Sequence, residues 1–291
     1  MKQLLLFIAF CCTLNSFGQS KPADRILYGI VTADTLSKAP YDAWYKKNYN
    51  DYTVNDVVKA GLRSAALKGI KMEAFFGSWC GDSKRELPRF IKVLDEMNFD
   101  KTNLKIIGTG SSDSLYKQSP QHEEKGKGIY RVPVFIVYKN GVEVNRINEF
   151  PVQTLERDLL AIIQNEHYIP NYKSFGSITK WLQQDILADS NVSMRGLMNQ
   201  LRPLVNDENE LNSLAYLLLK QQQQKEALMI FRINAGLYPA SANTLSSLGE
   251  AYLETGDKIK AISFLERSLE YQPSPALIKE ILGLMYKAKG L

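Results

Sequence analysis

Phe75-Phe76-Gly77-Ser78-Trp79-Cys80-Gly81-Asp82-Ser83 is the stretch on which the reading of this chain turns. An apolar run of strand length, Lys71 to Phe76, leads into it, and a helical pattern from Ser83 to Met97 leads out. A cysteine at a strand-to-helix turn lies near a helix N-terminus, where unpaired backbone N–H groups and the macrodipole favour thiolate over thiol. The chain has three cysteines in 291 residues; Cys11 and Cys12 fall in an N-terminal apolar run, so Cys80 is alone in the body of the chain. One thiol excludes an internal disulfide framework there, and a multi-cysteine zinc site as well. Taken in isolation a lone cysteine reads as an inert buried thiol. Its place at this turn argues instead for a nucleophile.

Working outward, Leu104 to Gly108 and Val134 to Tyr138 are further strand-length apolar runs, the second rich in β-branched and aromatic residues. Asn140-Gly141 is a strong two-residue hairpin signal and makes Val142 to Ile147 the returning strand. Helical patterns cover Val54 to Leu67, with Val57, Val58, Leu62 and Ala66 on one face, and Gln153 to Ile163. Strands and helices mixed in this way predict an α/β or α+β domain with helices packed on a small sheet.

With these elements in order, W-C-G-x-x after a strand resembles the W-C-G-P-C motif of the thioredoxin superfamily. Pro88 lies eight residues after Cys80, as does the proline that bends the active-site helix in that family. Val132-Pro133 matches the cis-proline that faces the active-site sulfur, and Asn140-Gly141 falls at the hairpin that follows it. Trp79 to Pro88, W-C-G-D-S-K-R-E-L-P, is similar to exported thioredoxin-family proteins of Gram-negative bacteria, notably Bacteroidetes. The resemblance spans about half the chain and implies an α/β thioredoxin fold, a central mixed sheet flanked by helices. It implies Cys80 as the nucleophile toward a protein thiol or disulfide, and Ser83 at the resolving position, within hydrogen-bond reach of the sulfur. Val132 and Pro133 would form a backbone rail for a partner segment, with Trp79 as its apolar lip. Neither the resemblance nor the residues imply a cofactor or a metal.

The departures bear on chemistry. Ser83 stands where thioredoxins carry a second cysteine, and a hydroxyl forms no disulfide, so Cys80 is limited to a mixed disulfide released by an outside thiol. Asp82 replaces the usual proline and opposes a thiolate unless Lys84 or Arg85 offsets it. Asp82 and Ser83 also read as helix caps, Glu86 completing a capping-box pattern with Ser83.

From about Lys173 strand patterns cease and the chain repeats itself. Leu214, Leu248 and Leu282 are spaced 34 residues apart, as are Leu218, Tyr252 and Tyr286. Ala227 recurs as Ala261, Phe231 as Leu265 and Pro239 as Pro273. This period resembles the tetratricopeptide repeat, an antiparallel helix pair, which implies an all-α repeat region that recruits a protein partner. The second unit, with Leu248-Gly249, Tyr252, Ala261 and Pro273, matches best; after Ala276 one helix remains, in the place of a terminal capping helix. Ser193 and Leu197 fall in the phase of Ala227 and Phe231, a degenerate earlier unit in which Val205 replaces the closing proline.

Met1-Lys2-Gln3, the apolar run Leu4 to Leu14 and small residues at Ser16 and Gly18 form a secretory signal pattern with cleavage after Gly18, too short to span a bilayer. Phe10 before Cys11 fits a lipoprotein poorly. The expected organisation is a signal peptide over 1–18, a thioredoxin-like domain over 19–168, a helical linker or degenerate repeat over 169–207, and repeats with a capping helix over 208–291. The protein is thus placed in the periplasm or secreted, with no integral membrane segment after cleavage. The formal charge of +5 is dispersed among acids, so no nucleic-acid stripe is expected. His122 and His167 lack metal-ligand spacing, and the Gly108-Thr109-Gly110 loop lacks a P-loop lysine. Asp82 and Asp113 remain a conceivable carboxylate pair, and Tyr41, Trp44, Tyr45, Tyr49 and Tyr52 a packed helix edge or a second binding surface. Two functions stay open: single-thiol exchange, or a non-catalytic envelope adaptor on a redox-inactive scaffold.

Overall fold

The computed structural model describes residues 25–112 and 115–290. The expected leader, with Cys11 and Cys12, and Asp113 lie outside the described residues. The first half is a five-stranded mixed sheet in the order β1-β3-β2-β4-β5. The strands are β1 (Gly29–Val31), β2 (Ile70–Phe76), β3 (Leu104–Gly108), β4 (Val134–Lys139) and β5 (Val142–Asn148). β2 and β3 run parallel; β1 with β3, β2 with β4 and β4 with β5 are antiparallel.

Period-2 alternation along the strands divides the side chains between two faces. Met72, Ala74, Phe76, Ile106, Phe135 and Val137 point to one. There they meet α1 (Ala33–Leu36), α2 (Asp42–Asp51), α3 (Asp56–Ser64), α4 (Gly81–Glu96) and α5 (Leu155–Ile163). The Phe90 and Phe135 rings stack at 4.1 Å in the middle of this core, both fully buried. Phe75, Ile107, Val134 and Ile136 point to the other face, covered by Ile129 and Val132 of the long β3–β4 connection, with Trp79 and Cys80 packed at its edge.

The helical pattern expected over Val54 to Leu67 ends early. Val58 and Leu62 are buried as expected, whereas Val57 is 82% exposed and Ala66 lies beyond the end of α3. Neighbouring residues on a helix are about 100° apart, so Val58 and Leu62 cannot share their buried face with Val57. The aromatic cluster at 41–52 is a packed edge: Tyr45 and Tyr49 stack on α2, and the Tyr49 hydroxyl donates to Asp95 of α4 at 2.8 Å.

The second half is all helical: α6 (Ser174–Gln183), α7 (Met194–Leu201), α8 (Glu208–Lys220), α9 (Gln224–Leu237), α10 (Ala242–Glu254), α11 (Lys258–Leu269) and α12 (Pro275–Lys289). The 34-residue phase coincides with burial: Leu214 and Leu248, Ala227 and Ala261, Phe231 and Leu265 are all core residues. α8 and α9 form a hairpin closed at its open end by the Asn234 side-chain N–H on the Glu208 carbonyl, 2.9 Å. The first helices of successive units lie side by side, with the Tyr216 hydroxyl donating to Glu250, one repeat on, at 2.6 Å. Upstream, α7 packs on α9 and α6 on the turn Ile186–Ala188, and Ser193 is the N-cap of α7 rather than a helical counterpart of Ala227, because α7 begins late.

Tyr130 binds the two halves together. Its ring enters the helical core edge-on to Phe175 at 5.0 Å, and its hydroxyl lies 3.0 Å from Thr179 Oγ1. We expect Phe90→Ala to lower the unfolding free energy by about 3–5 kcal/mol, the usual cost of emptying a buried aromatic site. Val57→Ala should shift it by less than about 0.5 kcal/mol. Urea titrations of the two variants check both values.

Candidate functional site

The end of β2 delivers Cys80 to the first turn of α4. Cys80 is the N-cap, with extended backbone (φ −91°, ψ 128°), and its carbonyl accepts the Lys84 N–H at 3.0 Å. The helix therefore starts at Gly81. Ser83 is an inner residue of the first turn rather than a cap, and no capping box forms, because Glu86 is buried against Arg85 and Arg89. The N-cap side chain makes no capping hydrogen bond, so the sulfur is not engaged by its own helix.

The Cys80 thiol, partly exposed, donates to the Val132 carbonyl at 3.3 Å. Val132 and Pro133 are buried, joined by a cis peptide bond, and the Pro133 carbonyl accepts the Glu149 N–H at 2.7 Å. Trp79 packs against Gly77, where a Cβ would come within 2.6 Å of the indole. Its Nε1–H donates to the Thr109 carbonyl at 2.9 Å and its ring lies 5.5 Å from that of Tyr116. Cys80, Trp79, Val132 and Pro133, named from sequence, thus come together.

Ser83 is placed differently from expectation. It is fully buried, and its Oγ accepts the Gly77 N–H at 3.1 Å, across the turn that carries Cys80. It braces the loop, and among the described contacts it makes no bond to the sulfur. Asp82, feared as an opposing charge, is paired with Arg85 at 2.8 Å. That pair is partly solvent-exposed and contributes little to stability.

Sequence reasoning missed a group of residues delivered by the β3–β4 connection. Lys117 is 6% exposed; its Nζ donates to the Tyr130 carbonyl at 2.7 Å and lies 4.9 Å from the Tyr116 ring. Burial, reinforced by Arg131 and Lys220, pushes its pKa down to about 8 against the opposing pull of Glu149 and Cys80. Arg131, next to Val132, donates to Ser213 of α8 at 2.9 Å and lies 3.5 Å from Glu149. Lys220 of α8 reaches over the Tyr116 ring at 4.8 Å. No local pattern marks these residues, since their partners are distant in sequence; only the adjacency of Arg131 to Val132-Pro133 was a signal. A separate cavity of about 510 Å³ lies between Gln118, Glu124, Tyr130, Thr179 and Gln183, and neither Cys80 nor Trp79 lines it.

The elements and the site together describe a mixed-sheet α/β unit with a solitary, accessible thiol at a strand-to-helix turn, joined to a helical array. No protein-family model matches the chain. It is similar to the 16 kDa dynein light chain of the flagellar outer arm of Chlamydomonas reinhardtii, with 27% identity over 95 residues, 33% of this chain and 58% of that protein. The match therefore spans little more than half the length of that relative.

Two outcomes follow from the geometry. Ser83→Ala leaves the buried Gly77 N–H without its acceptor and should cost about 1–3 kcal/mol in urea unfolding. For Lys117 the folded pKa, about 8, lies below its ordinary 10.5. Between those values the unfolded chain holds the extra proton, so this residue's contribution to stability rises as pH climbs through the interval. The stability of the wild type relative to Lys117→Met should increase from about pH 8 to about pH 10.5. A difference that is flat with pH would contradict the burial of this ammonium.

Proposed function

We propose that this is an exported thioredoxin-like protein that engages protein thiols or disulfides through Cys80 alone, with its helical, tetratricopeptide-like array recruiting a partner. The observation that carries the reading is the placement of Cys80: a partly exposed sulfur at the N-cap of α4, facing the Val132 carbonyl across a cis Val132-Pro133 bond. The order of the central strands, parallel β2 and β3 followed by the antiparallel β4–β5 hairpin, supports the thioredoxin-like assignment.

In this reading the first-turn N–H groups of α4 stabilise negative charge on the sulfur. The Cys80 thiolate attacks one sulfur of a partner disulfide. The Cys80–S bond forms as the S–S bond breaks, and the departing partner sulfur leaves as a thiolate that takes a proton from water. Ser83, buried and bonded to Gly77, offers no internal resolving thiol. An external thiol then attacks the mixed disulfide, frees Cys80 and carries the partner's sulfur away as a new disulfide. Isomerisation follows the same steps when the resolving thiol belongs to the partner.

The Val132 carbonyl faces the sulfur, and Trp79 packs against the same cluster; a partner segment laid along them would present its disulfide to Cys80. The helical half supports the same surface, because Arg131 is tied to Ser213 and Tyr130 to Thr179. In this reading the array that recruits a partner is bonded to the segment that carries the Val132 carbonyl. The site of action proposed is the periplasm or the exterior.

Affinity-purified wild-type protein, quenched with acid and alkylated, should carry envelope proteins that are released by reductant, and Cys80→Ala should carry none. Equal recovery with both proteins would favour the adaptor reading instead. Ser83→Cys should form an internal disulfide with Cys80, so that thiol titration after mild oxidation finds none free. Two free thiols under those conditions would contradict the proposed geometry.

A further inference from the structure

α12 repeats the helix-accepting face of α10, yet among the described residues no helix lies on it. Leu248, Gly249 and Tyr252 of α10 receive α11. Leu248 and Tyr252 are 3% and 8% exposed, and a Cβ on Gly249 would meet Leu265 at 2.8 Å and the Ala261 carbonyl at 3.1 Å. The missing side chain is what allows the two helices to approach this closely. The residues 34 positions later, Leu282, Gly283 and Tyr286, are the same three types in the same spacing. Here nothing lies within 4 Å of a Cβ on Gly283, and Leu282 and Tyr286 are 43% and 59% exposed. Ile278, one turn earlier, extends the stripe. A solvated cap of the kind expected from the sequence would carry polar residues at these positions; this one carries an acceptor face.

We propose that this face of α12 docks a helix of a partner protein whose apolar seam repeats the Ala-x-x-x-Leu of Ala261 and Leu265 and which carries a carboxylate in its C-terminal half. The seam follows from the interface inside the chain. α11 rests on Leu248, Gly249 and Tyr252 through Ala261 and Leu265, with Phe264 stacked on Tyr252 at 5.5 Å, and α12 offers the same three residue types. The carboxylate follows from charge. Lys279 stands where α10 has the buried Leu245, and Lys289 lies in the last turn of α12; among the described residues neither has an ion-pair partner. In the hairpin, the Lys260 end of α11 lies at Tyr252 and its middle at Gly249. Continuing along α11 brings the region of Ser268 toward Leu245, and hence its counterpart toward Lys279. The same lysines disfavour a second copy of this chain, which would set two basic faces together. The proposal deepens the recruiting role given above to the helical array and does not depend on the chemistry of Cys80.

The test uses the full chain and synthetic peptides with the sequence of residues 256–271, one unchanged, one with Ser268→Glu and one with Ser268→Lys, read by fluorescence anisotropy. The wild type should bind the peptides saturably, the Ser268→Glu peptide about two- to five-fold tighter than the unchanged one and the Ser268→Lys peptide weaker. Gly283→Trp, which fills open space without touching the core, should weaken binding by about ten-fold or more. Leu282→Glu provides an independent disruption at an exposed position. Absence of saturable binding to the wild type would overturn the proposal, as would equal binding by Gly283→Trp and Leu282→Glu. So would a concentration-dependent dimer that Gly283→Trp abolishes, because the occupant would then be a second copy. Adduct formation between Cys80 of the wild type and a small disulfide needs no docked partner and is read beside the peptide titrations, so failure here and failure of the thiol reading are distinguished.

Discussion

The contact between the Cys80 sulfur and the Val132 carbonyl, 3.3 Å long, joins two stretches of chain, distant in sequence, that meet in the small core on the second face of the sheet. Cys80 is fixed from one side by the β2–α4 turn, with Ser83 and Gly77 bonded across it. Val132 is fixed from the other side by a segment whose neighbours reach away from the sheet. Tyr130 is inserted into the helical core, and Arg131 is bonded to Ser213 on α8. Displacing the helical array would loosen the carbonyl that faces the thiol. The array is therefore part of what shapes the site.

That dependence explains a costly residue. Lys117 is nearly enclosed and donates to the Tyr130 carbonyl. Burying an ammonium is unfavourable without compensation, and here the compensation comes from a main-chain acceptor, the Tyr116 ring and the negative charge of Glu149. The arrangement fixes the conformation of the connection just before Val132. The Tyr116 ring in turn contacts both Trp79 and Lys220, so Trp79, the neighbour of Cys80, is also linked to α8.

The sheet was legible because its strands obey local rules. Val134 to Lys139 is a β-branched and aromatic run followed by Asn140-Gly141, and the returning strand begins at Val142 as that turn requires. The repeat was legible because a 34-residue phase places the same small and large residues at the same helix contacts, Ala227 and Ala261 among them. β1, only Gly29 to Val31, was too short to give a pattern, and α2 was visible only as an aromatic cluster. Of the site, Cys80, Trp79 and Val132-Pro133 were found through motif spacing. The resemblance put Ser83 within hydrogen-bond reach of the sulfur, and its hydroxyl accepts the Gly77 N–H across the turn, a contact no local pattern marks. Lys117, Tyr130 and Arg131 acquire their roles only through contacts with distant segments, and no local period encodes those.

In the proposed mechanism one sulfur, without an internal partner, carries the chemistry. Exposing the reduced protein to a small disulfide and following its intact mass tests this most directly. A single adduct should form on Cys80, persist after the free disulfide is removed and disappear when an external thiol is added. A sulfur that forms no adduct, or an adduct that is expelled with no thiol present, would contradict it.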